Sequence, residues 1–221
     1  MAAPEGCRLE RKGWAVYART ITIDARPDAI EAGIAYVRDT VAPQVMAVPG
    51  CTGMSLVADR SSGRCIATTA WNTEDAMLDS VESLRSIRDQ SAATLGGAPA
   101  IEHWEVAVMH RDHQTREGAC VRSTWMQGDP ADVDDAIEVF KTTTLRALDE
   151  FDGFCSASLL VNRETGRALA SIAYDSREAL ERMRDRANDL RSQTTSATRG
   201  DVRDVREFDL VMAHLHVPEM V

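Results

Sequence analysis

The sequence predicts an α+β protein built from two β-α-β-β-α-β repeats within one chain of 221 residues. Two observations lead to this prediction. Shifting the chain against itself by 103 positions, without a gap, superposes identical residues at many places, which indicates an internal repeat. Each half also shows the same succession of strand-like and helix-like patterns. The superposed pairs include Arg19 with Arg122, Pro27 with Pro130, Gly50 with Gly153, Gly63 with Gly166 and Gln90 with Gln193.

Each repeat is predicted to begin with a strand and an amphipathic helix. The strands are expected at 16–24 and 121–127, where the residues are β-branched or otherwise suited to strands. Pro27 and Pro130 then open the helices, because the first helical position needs no backbone N–H. Apolar residues recur at helical spacing and define one buried face. They are Ile30, Ile34, Val37, Val41 and Val45 in the first repeat, and Val133, Ile137, Phe140 and Leu148 in the second.

A hairpin, a second helix and a last strand complete each repeat. Gly63 and Gly166 stand in the hairpin loops, where a positive φ is needed. Thr73 and Ser176 stand where the second helix needs an N-cap. In the first repeat we expect strands at 54–58, 65–71 and 101–109 and a helix at 74–95. In the second we expect strands at 157–161, 168–174 and 205–213 and a helix at 177–198.

This order of elements is the split, ferredoxin-like unit, whose sheet carries helices on one face only. The other face would be half apolar and exposed to water, which a stable domain avoids. We therefore expect the two repeats to pack sheet to sheet as an intrachain pseudo-dimeric α/β barrel with the helices outside. The first repeat is expected at 13–111, the linker at 112–119 and the second repeat at 120–217.

Composition limits the classes of partner. With 44% hydrophobic and 27% charged residues, the chain can form a core. A net charge of −10 argues against nucleic acid and anionic membranes, because phosphate binding needs clustered cations. No apolar run suits a membrane span or a signal peptide, so a cytoplasmic location is expected. Cys7, Cys51, Cys65, Cys120 and Cys155 are odd in number and form no C-x-x-C pair, so reduced, mostly buried thiols are expected.

An aromatic residue ends the third predicted strand of each half and leads into a helix start. The first half has Trp71-Asn72-Thr73-Glu74-Asp75-Ala76 and the second has Tyr174-Asp175-Ser176-Arg177-Glu178-Ala179. In these residues and in the repeated unit, the chain resembles the antibiotic-biosynthesis-monooxygenase-like branch of the dimeric α/β-barrel superfamily, over about 16–111 and 120–215. Members are usually homodimers of single units. The resemblance therefore implies a monomer with an internal pseudo-dimer, or a further homodimer of it.

The resemblance implies cofactor-independent oxygenation of electron-rich aromatics, haem degradation, isomerisation, or ligand binding without chemistry. Haem-degrading members carry an asparagine on the first strand and a histidine on the second helix, and this sequence has neither at those places. Haem degradation is therefore disfavoured. No Gly-rich phosphate loop or nucleophile elbow indicates a nucleotide cofactor or covalent catalysis. We expect no cofactor and no metal.

The strand that ends in Trp71 is the best candidate for substrate binding. Strand alternation places Cys65, Thr69 and Trp71 on one face, and Tyr174 ends the equivalent face of the second half. If that face points into the barrel, its small side chains leave room for a flat, mostly apolar ligand. Asn72 completes this predicted substrate-binding set. The alternative is that the small residues permit close sheet packing and Trp71 fills the core.

Two arginines are candidate catalytic groups. Arg19 and Arg122 match across the repeats on the first strands. One hypothesis is that such a cation holds a phenolate or enolate and lowers the pKa of the ligand. The alternative is a strand-edge residue paired with a carboxylate such as Asp24 or Glu105.

Two histidines are candidate proton acceptors. His110 and His214 align near the ends of the last strands, and an imidazole titrates near neutral pH. The alternative is that both are solvated side chains at strand ends. His214 and His216 alternate as metal ligands can, but no carboxylate pattern supports a metal in both repeats.

The residues and the resemblance together predict a monooxygenase-like protein that oxidises a small, flat aromatic or enolisable substrate with O₂, without flavin, haem or metal. Its partner would be a small aromatic molecule. The alternative is a non-catalytic small-ligand-binding or stress-related α/β barrel. Because Tyr174 replaces Trp71 and Asp175 replaces Asn72, we expect one half to keep a working site.

Overall fold

The structure, a computed structural model, describes residues 15–221 and has the predicted α+β architecture. Cys7 and the expected start of the first repeat at residue 13 lie outside the described residues. The first half contains β1 (Val16–Asp24), α1 (Ile30–Tyr36), α2 (Ala42–Met46), β2 (Cys51–Asp59), β3 (Arg64–Trp71), α3 (Glu74–Ser83), α4 (Arg85–Leu95) and β4 (Ala100–Arg111). The second half contains β5 (Cys120–Gln127), α5 (Val133–Val139), α6 (Leu145–Leu148), β6 (Phe154–Asn162), β7 (Arg167–Tyr174), α7 (Arg177–Thr198) and β8 (Asp201–Leu215).

The first helix of each half contains a π-helical turn at the same place. Val37–Val41 joins α1 to α2, and Phe140–Thr144 joins α5 to α6. The two proline starts differ from one another. Pro130 opens a 3₁₀ turn before α5, as a residue without an N–H can. Pro27 lies in a turn, and α1 begins three residues later at Ile30.

All eight strands form one closed antiparallel barrel in the order β1-β3-β2-β8-β5-β7-β6-β4. Within this circle, β4-β1-β3-β2 and β8-β5-β7-β6 each have the neighbour order of a ferredoxin-like sheet. Two hydrogen-bonded seams join the halves, one between β2 and β8 and the other between β4 and β6. The predicted intrachain α/β barrel is confirmed, and these seams close it.

The strands separate two kinds of packing. On the outer face of the first half, Cys65 and Trp71 of β3 belong to a core formed with the helices. The alternate residues Ile66, Thr68 and Ala70 line the inside of the barrel. The expectation that the Cys65–Trp71 face points into the barrel is therefore wrong. The helices cover that face, and Tyr174 belongs to the equivalent helix-covered core of the second half.

The second helix of each half is capped as predicted. The Thr73 and Ser176 hydroxyls accept the N–H groups of Ala76 at 3.1 Å and Ala179 at 3.2 Å. The helix predicted at 74–95 is interrupted at Leu84, which has φ −97° and ψ 3°, whereas α7 is unbroken. Within the described residues, no helix is both long and apolar enough to cross a bilayer.

Candidate functional site

A small cavity of about 70 Å³ lies between the outer face of the first-half strands and their helices. Apolar side chains from β1, β2, residues 37–45 and α4 form most of its wall. We call it the first-half pocket. Its polar side chains are Arg19, Thr69, Arg88 and Ser91, and the Cys65 thiol also faces it. Three of the predicted site residues therefore meet here.

Arg19 places a buried positive charge at this pocket. It is 3% exposed, and its Nη1 donates to Ser80 Oγ at 3.0 Å while its Nη2 donates to the Met77 carbonyl oxygen. Its Nε donates to His103 Nε2 at 3.3 Å, and its guanidinium carbon lies 5.8 Å from the centroid of the Trp71 ring. Arg19 therefore has polar partners, yet it joins no ion pair among the described residues.

The strand-edge alternative for Arg19 is thus wrong, because both expected carboxylates are already occupied. Asp24 Oδ1 pairs with Arg64 Nε at 2.8 Å, and Glu105 Oε2 pairs with Arg163 Nε at 2.6 Å. These pairs lie at the surface, where each contributes little to stability.

The electrostatics of the pocket favour a negatively charged ligand. Burial lowers the pKa of the Arg19 guanidinium, and the positive charge of Arg88 lowers it further. Burial and the Arg19 charge also lower the pKa of His103, so this imidazole is neutral at pH 7 and its Nε2 accepts a hydrogen bond from the Arg19 Nε–H. The positive charges of both arginines would stabilise an anion bound in the pocket. Burial raises the pKa of the Cys65 thiol to about 11, so Cys65 supplies neither a base nor a nucleophile.

Trp71 fills the core instead of forming a wall of the pocket. It is fully buried, and its indole Nε1–H donates to Thr69 Oγ1 at 3.0 Å. The Trp71 indole N–H is therefore already hydrogen-bonded within the protein and is not free to donate to a ligand. Its contact with the Arg19 guanidinium is a cation–π interaction that holds the charge in place.

The remaining predicted binding residues lie elsewhere. Asn72 is exposed just after β3. Tyr174 is 1% exposed, and its hydroxyl has no hydrogen-bond partner within the described part of the chain. Arg122 donates to Asn188 Oδ1 and, at 3.4 Å, to the Arg184 carbonyl oxygen.

Among the described residues, Arg122 and Tyr174 do not line the small cavity that the second half holds between its strands and helices. Phe140 stands where the first half has Val37, and it packs with Phe151 and Phe154 in the second-half core. That cavity measures about 50 Å³, and its lining includes Met126, Leu159, Ala168, Thr194 and Thr198, which correspond to Ile23, Leu56, Cys65, Ser91 and Leu95 of the first-half pocket. Both halves thus keep a small space beneath their helices, and the repeated arginine lines it in the first half but not in the second.

The two predicted proton acceptors do not line the first-half pocket. His110 Nε2 lies 3.0 Å from Asp149 Oδ1, and the ring stacks on Phe154 with centroids 6.0 Å apart. His214 is exposed near the end of β8, pairs with Met54 and borders the cavity inside the barrel. The histidine that contacts the predicted cation is His103, which the sequence analysis did not select. Arg19 and His103 are cross-strand partners in the pairing of β1 with β4, and only that register reveals their contact.

The inside of the barrel holds a second, larger cavity of about 620 Å³, which we call the lumen. Hydroxyl groups of Ser55, Thr68, Ser123, Ser158 and Ser171 stand among its apolar residues. Ser123 Oγ and Ser171 Oγ hydrogen-bond to each other at 3.0 Å.

The C-terminal segment covers part of the lumen. Val217 is 4% exposed and lines the lumen, and its carbonyl oxygen accepts from Arg111 Nη1 at 2.8 Å. Met109 and Met220 form a further backbone bridge, with Met220 N donating to Met109 O at 2.8 Å. The segment after β8 is therefore fixed to β4.

An eight-stranded barrel with helices on its outer face, closed by one chain, has the fold of the dimeric α/β-barrel superfamily. The structure is similar to an anthrone oxidase-like protein, with a TM-score of 0.66 and 13% identity over 95% of this chain and 94% of that one. It is also similar to a ferredoxin fold protein of Listeria monocytogenes related to antibiotic biosynthesis monooxygenases, with a TM-score of 0.51 and 14% identity over 93% of this chain and 96% of that one. Identities this low show the fold alone.

The sequence places the chain more narrowly. No protein-family model matches it. The chain is 50% identical over 214 residues to the uncharacterized protein Rv2557 of Mycobacterium tuberculosis, covering 97% of this chain and 96% of that protein. It belongs to the same family as Rv2557.

Proposed function

We propose that this protein is a monooxygenase-like enzyme that takes a small, flat phenol or enolisable molecule into the first-half pocket. It oxidises this molecule with O₂, without flavin, haem or metal. The observation that carries the proposal is Arg19, a buried guanidinium facing an apolar cavity with no carboxylate paired to it among the described residues. Buried charges are normally paired, so a ligand anion is the counter-charge that this site lacks.

The size of the pocket limits the substrate. A dry apolar cavity that accepts benzene measures about 150 Å³ in another protein, and the pocket here measures about 70 Å³. The substrate therefore has a single ring or a similar small skeleton, and the wall moves to admit it. Leu84, which forms the interruption between α3 and α4, and Ile87, which follows it in α4, belong to that wall. We expect the backbone at this break to move when the ligand enters, so that the wall residues shift outward.

The chemistry follows from holding an anion in a dry site. The substrate loses a C–H or O–H proton to bulk water before it enters, and the Arg19 and Arg88 charges stabilise the resulting enolate or phenolate in the pocket. The carbanion form gives one electron to O₂, and the two radicals combine into a new C–O bond. The peroxide takes up a proton and loses water, which leaves a carbonyl group. The net change converts CH₂ and O₂ into C=O and H₂O.

A chromogenic phenol tests the binding step. We expect 4-nitrophenol to bind to the protein as its anion, so that the nitrophenolate absorbance appears at a lower pH than in free solution. The Arg19→Gln variant should lose this shift, since the buried cation is gone. The matched variant Arg122→Gln, at the equivalent position of the second half, should keep it. Equal behaviour of the two variants, with both still folded by thermal melting, would contradict the assignment of Arg19.

Oxygen uptake tests the reaction. Wild-type protein should consume O₂ with members of a panel of small hydroxylated aromatics and place one atom of ¹⁸O₂ in the product. Arg19→Gln should lower this rate at least about tenfold, because one charge contact in a dry site contributes several kcal/mol to an anionic transition state. If wild-type protein consumes no O₂ with any phenol that binds as its anion, the proposed oxygenase activity is contradicted.

A second candidate, a ligand-binding barrel without chemistry, is favoured by the lumen. Its volume of about 620 Å³ lies within the roughly 300–1,000 Å³ usual for ligand pockets, and its hydroxyl groups suit a ligand with a few polar atoms. In that case ligand binding would occur without oxygen uptake. It would be blocked by filling the lumen with Ser123→Leu and Ser171→Leu, and Arg19→Gln would leave it unchanged.

A further inference from the structure

Three metal-ligating side chains meet at one end of the second half, away from the first-half pocket. They are His113 of the linker, Cys155 of β6 and Asp175 just after β7, and their donor atoms all lie within 4.8 Å of one another. His113 Nε2 lies 2.9 Å from Asp175 Oδ1, and Cys155 Sγ lies 3.4 Å from the same oxygen. Among the described residues, no other such group of three or more donors occurs.

The backbone aims the thiol into this cluster. The pairing of β6 with β7 shifts register between Phe154 and Ser156, so Cys155 is the extra residue of a β-bulge. A bulge redirects its side chain. Cys155 is fully buried, and its carbonyl oxygen accepts the N–H groups of Asp112 at 2.9 Å and His113 at 3.3 Å. The linker is thereby held against the strand that carries the thiol.

The imidazole is oriented by a second carboxylate. Asp112 Oδ2 lies 2.7 Å from His113 Nδ1, which leaves Nε2 to face Cys155 and Asp175. A carboxylate behind one ring nitrogen while the other binds the ion is the usual arrangement of metal-bound histidine.

The fold does not require this cluster, because the equivalent place in the first half lacks it. Thr52 occupies the corresponding bulge of β2, and Asn72 corresponds to Asp175. His216 donates its N–H to the Thr52 carbonyl oxygen at 2.8 Å, as His113 does to Cys155. The same backbone thus carries a thiol and a carboxylate at one end, and a hydroxyl and an amide at the other.

The charges suit a divalent cation. A thiolate and the carboxylates of Asp112 and Asp175 would bring three negative charges, against the positive charge of Arg116, which acts on both Cys155 and Asp175. A bound divalent cation displaces the proton of a thiol that coordinates it.

We propose that His113, Cys155 and Asp175 bind a divalent cation of the zinc type. Sulfur, imidazole and carboxylate are the donors that zinc takes in proteins, and three protein ligands leave one position for water. The cation pins the 112–119 linker to β6 and to the end of β7. The proposed oxygenation does not depend on this cation.

Cobalt(II), which replaces zinc and absorbs light, tests the site on the full chain after removal of metal by a chelator. We expect one equivalent of Co²⁺ to give a near-ultraviolet thiolate-to-cobalt band, and Zn²⁺ to abolish it. The double variant Cys155→Thr, Asp175→Asn should lose the band and remain folded, because Thr52 and Asn72 occupy the same positions in the first half. Cys7→Ser and Cys51→Ser should keep the band.

A graded variant and the contrary results complete the test. Asp112→Asn should weaken cobalt binding about 10–100-fold, as loss of a carboxylate behind a histidine ligand does. Absence of the band in wild type with excess Co²⁺ would overturn the proposal. Persistence of the band in the double variant would overturn it as well, since another thiol would then be the ligand. Neither result bears on oxygen uptake, which is measured without added metal.

Discussion

The aromatic residues that end the third strands show how a single neighbour changes a buried side chain. Trp71 donates its N–H to Thr69 Oγ1 at 3.0 Å. In the second half Ile172 stands at the position of Thr69, so no hydroxyl is there to accept from Tyr174. The Tyr174 hydroxyl has no partner within the described residues, and burial raises the pKa of Tyr174 to about 12.

This orphan hydroxyl gives the first stability prediction. Burying a hydroxyl without a hydrogen bond costs on the order of 1–3 kcal/mol. We therefore expect Tyr174→Phe to raise the free energy of unfolding by about 1 kcal/mol, measured by urea denaturation. The matched change Trp71→Phe leaves a cavity and should lower it by about 1–3 kcal/mol. A loss of stability in Tyr174→Phe would show that the hydroxyl is bonded in solution.

At this scale the sequence predicted three residues that line the candidate pocket, and their role stays a prediction. Arg19, Cys65 and Thr69 were predicted from their repeat matches or strand spacing, and they do line one pocket. His103 was not predicted, because its contact with Arg19 depends on the pairing of β1 with β4. The cluster of His113, Cys155 and Asp175 was not predicted either, because its members come from a linker, a bulge and a strand end. No regular spacing in the sequence indicates that these three side chains are in contact.

Among the elements, the strands were predicted well and their orientation was not. Alternation separates the two faces of β3, but both faces are small or apolar, since Cys65 and Thr69 face the helices while Ile66 and Ala70 face the lumen. The alternation of side chains along a strand separates its two faces, but it does not show which face the helices cover. Similarly, helical spacing runs through Leu84 and could not reveal the break between α3 and α4.

The two hairpins use different residues for the same turn, and this gives a pH prediction. In the first hairpin Asp59 Oδ1 accepts the Ser61 N–H at 2.9 Å; in the second, Asn162 Oδ1 accepts the Thr165 N–H at 3.0 Å. Burial alone would raise the pKa of the Asp59 carboxyl, but hydrogen bonds from Ser61 and Ser62 outweigh it and lower the pKa to about 2.

A carboxyl whose folded pKa is lowered stabilises the protein above its ordinary pKa near 3.8, and this stability disappears as the pH falls towards 2. We expect wild type to lose about 1 kcal/mol over that range through Asp59, a small share because the site is partly solvated. Asp59→Asn, which copies the second hairpin, should be less stable than wild type at pH 7 and equal to it near pH 2. Parallel acid-unfolding curves for the two proteins would contradict this role.

For the molecule as a whole, the two seams are not equivalent. At the seam of β2 with β8, Gly53 has φ +145°, and a Cβ there would overlap the His214 carbonyl oxygen and lie 2.7 Å from Leu215 Cα. At the other seam the corresponding residue is Ser156, which pairs with Arg111. Backbone atoms cannot move aside as the end of a flexible side chain can.

Gly53→Ala should therefore weaken the closed barrel far more than the matched change Ser156→Ala. We expect a loss of about 2 kcal/mol or more for Gly53→Ala, since it adds a clash to an unfavourable φ, and less than about 1 kcal/mol for Ser156→Ala. Thermal and urea unfolding of the two variants provide the measurement. Similar stabilities would mean that the β2–β8 seam can open without unfolding the rest.

The sequence predicted the closed barrel because each half alone would leave one sheet face unprotected. The division into 13–111, 112–119 and 120–217 stays a prediction, to be checked by expressing the two halves separately and together. Two edges per half, at β2 and β4 or at β6 and β8, would be unpaired in isolation. We expect each half to self-associate alone and to recover a folded form when mixed with the other.

Closure of the barrel by one polypeptide has a consequence for how such a protein changes over time. In a homodimer every substitution appears in both subunits. A substitution that enlarges the ligand space of one subunit, and so weakens its packing, does the same in the other. Here Val37 and Phe140 occupy corresponding places and differ. One side can thus specialise in chemistry while the other keeps the molecule rigid, and each chain should saturate with a single ligand.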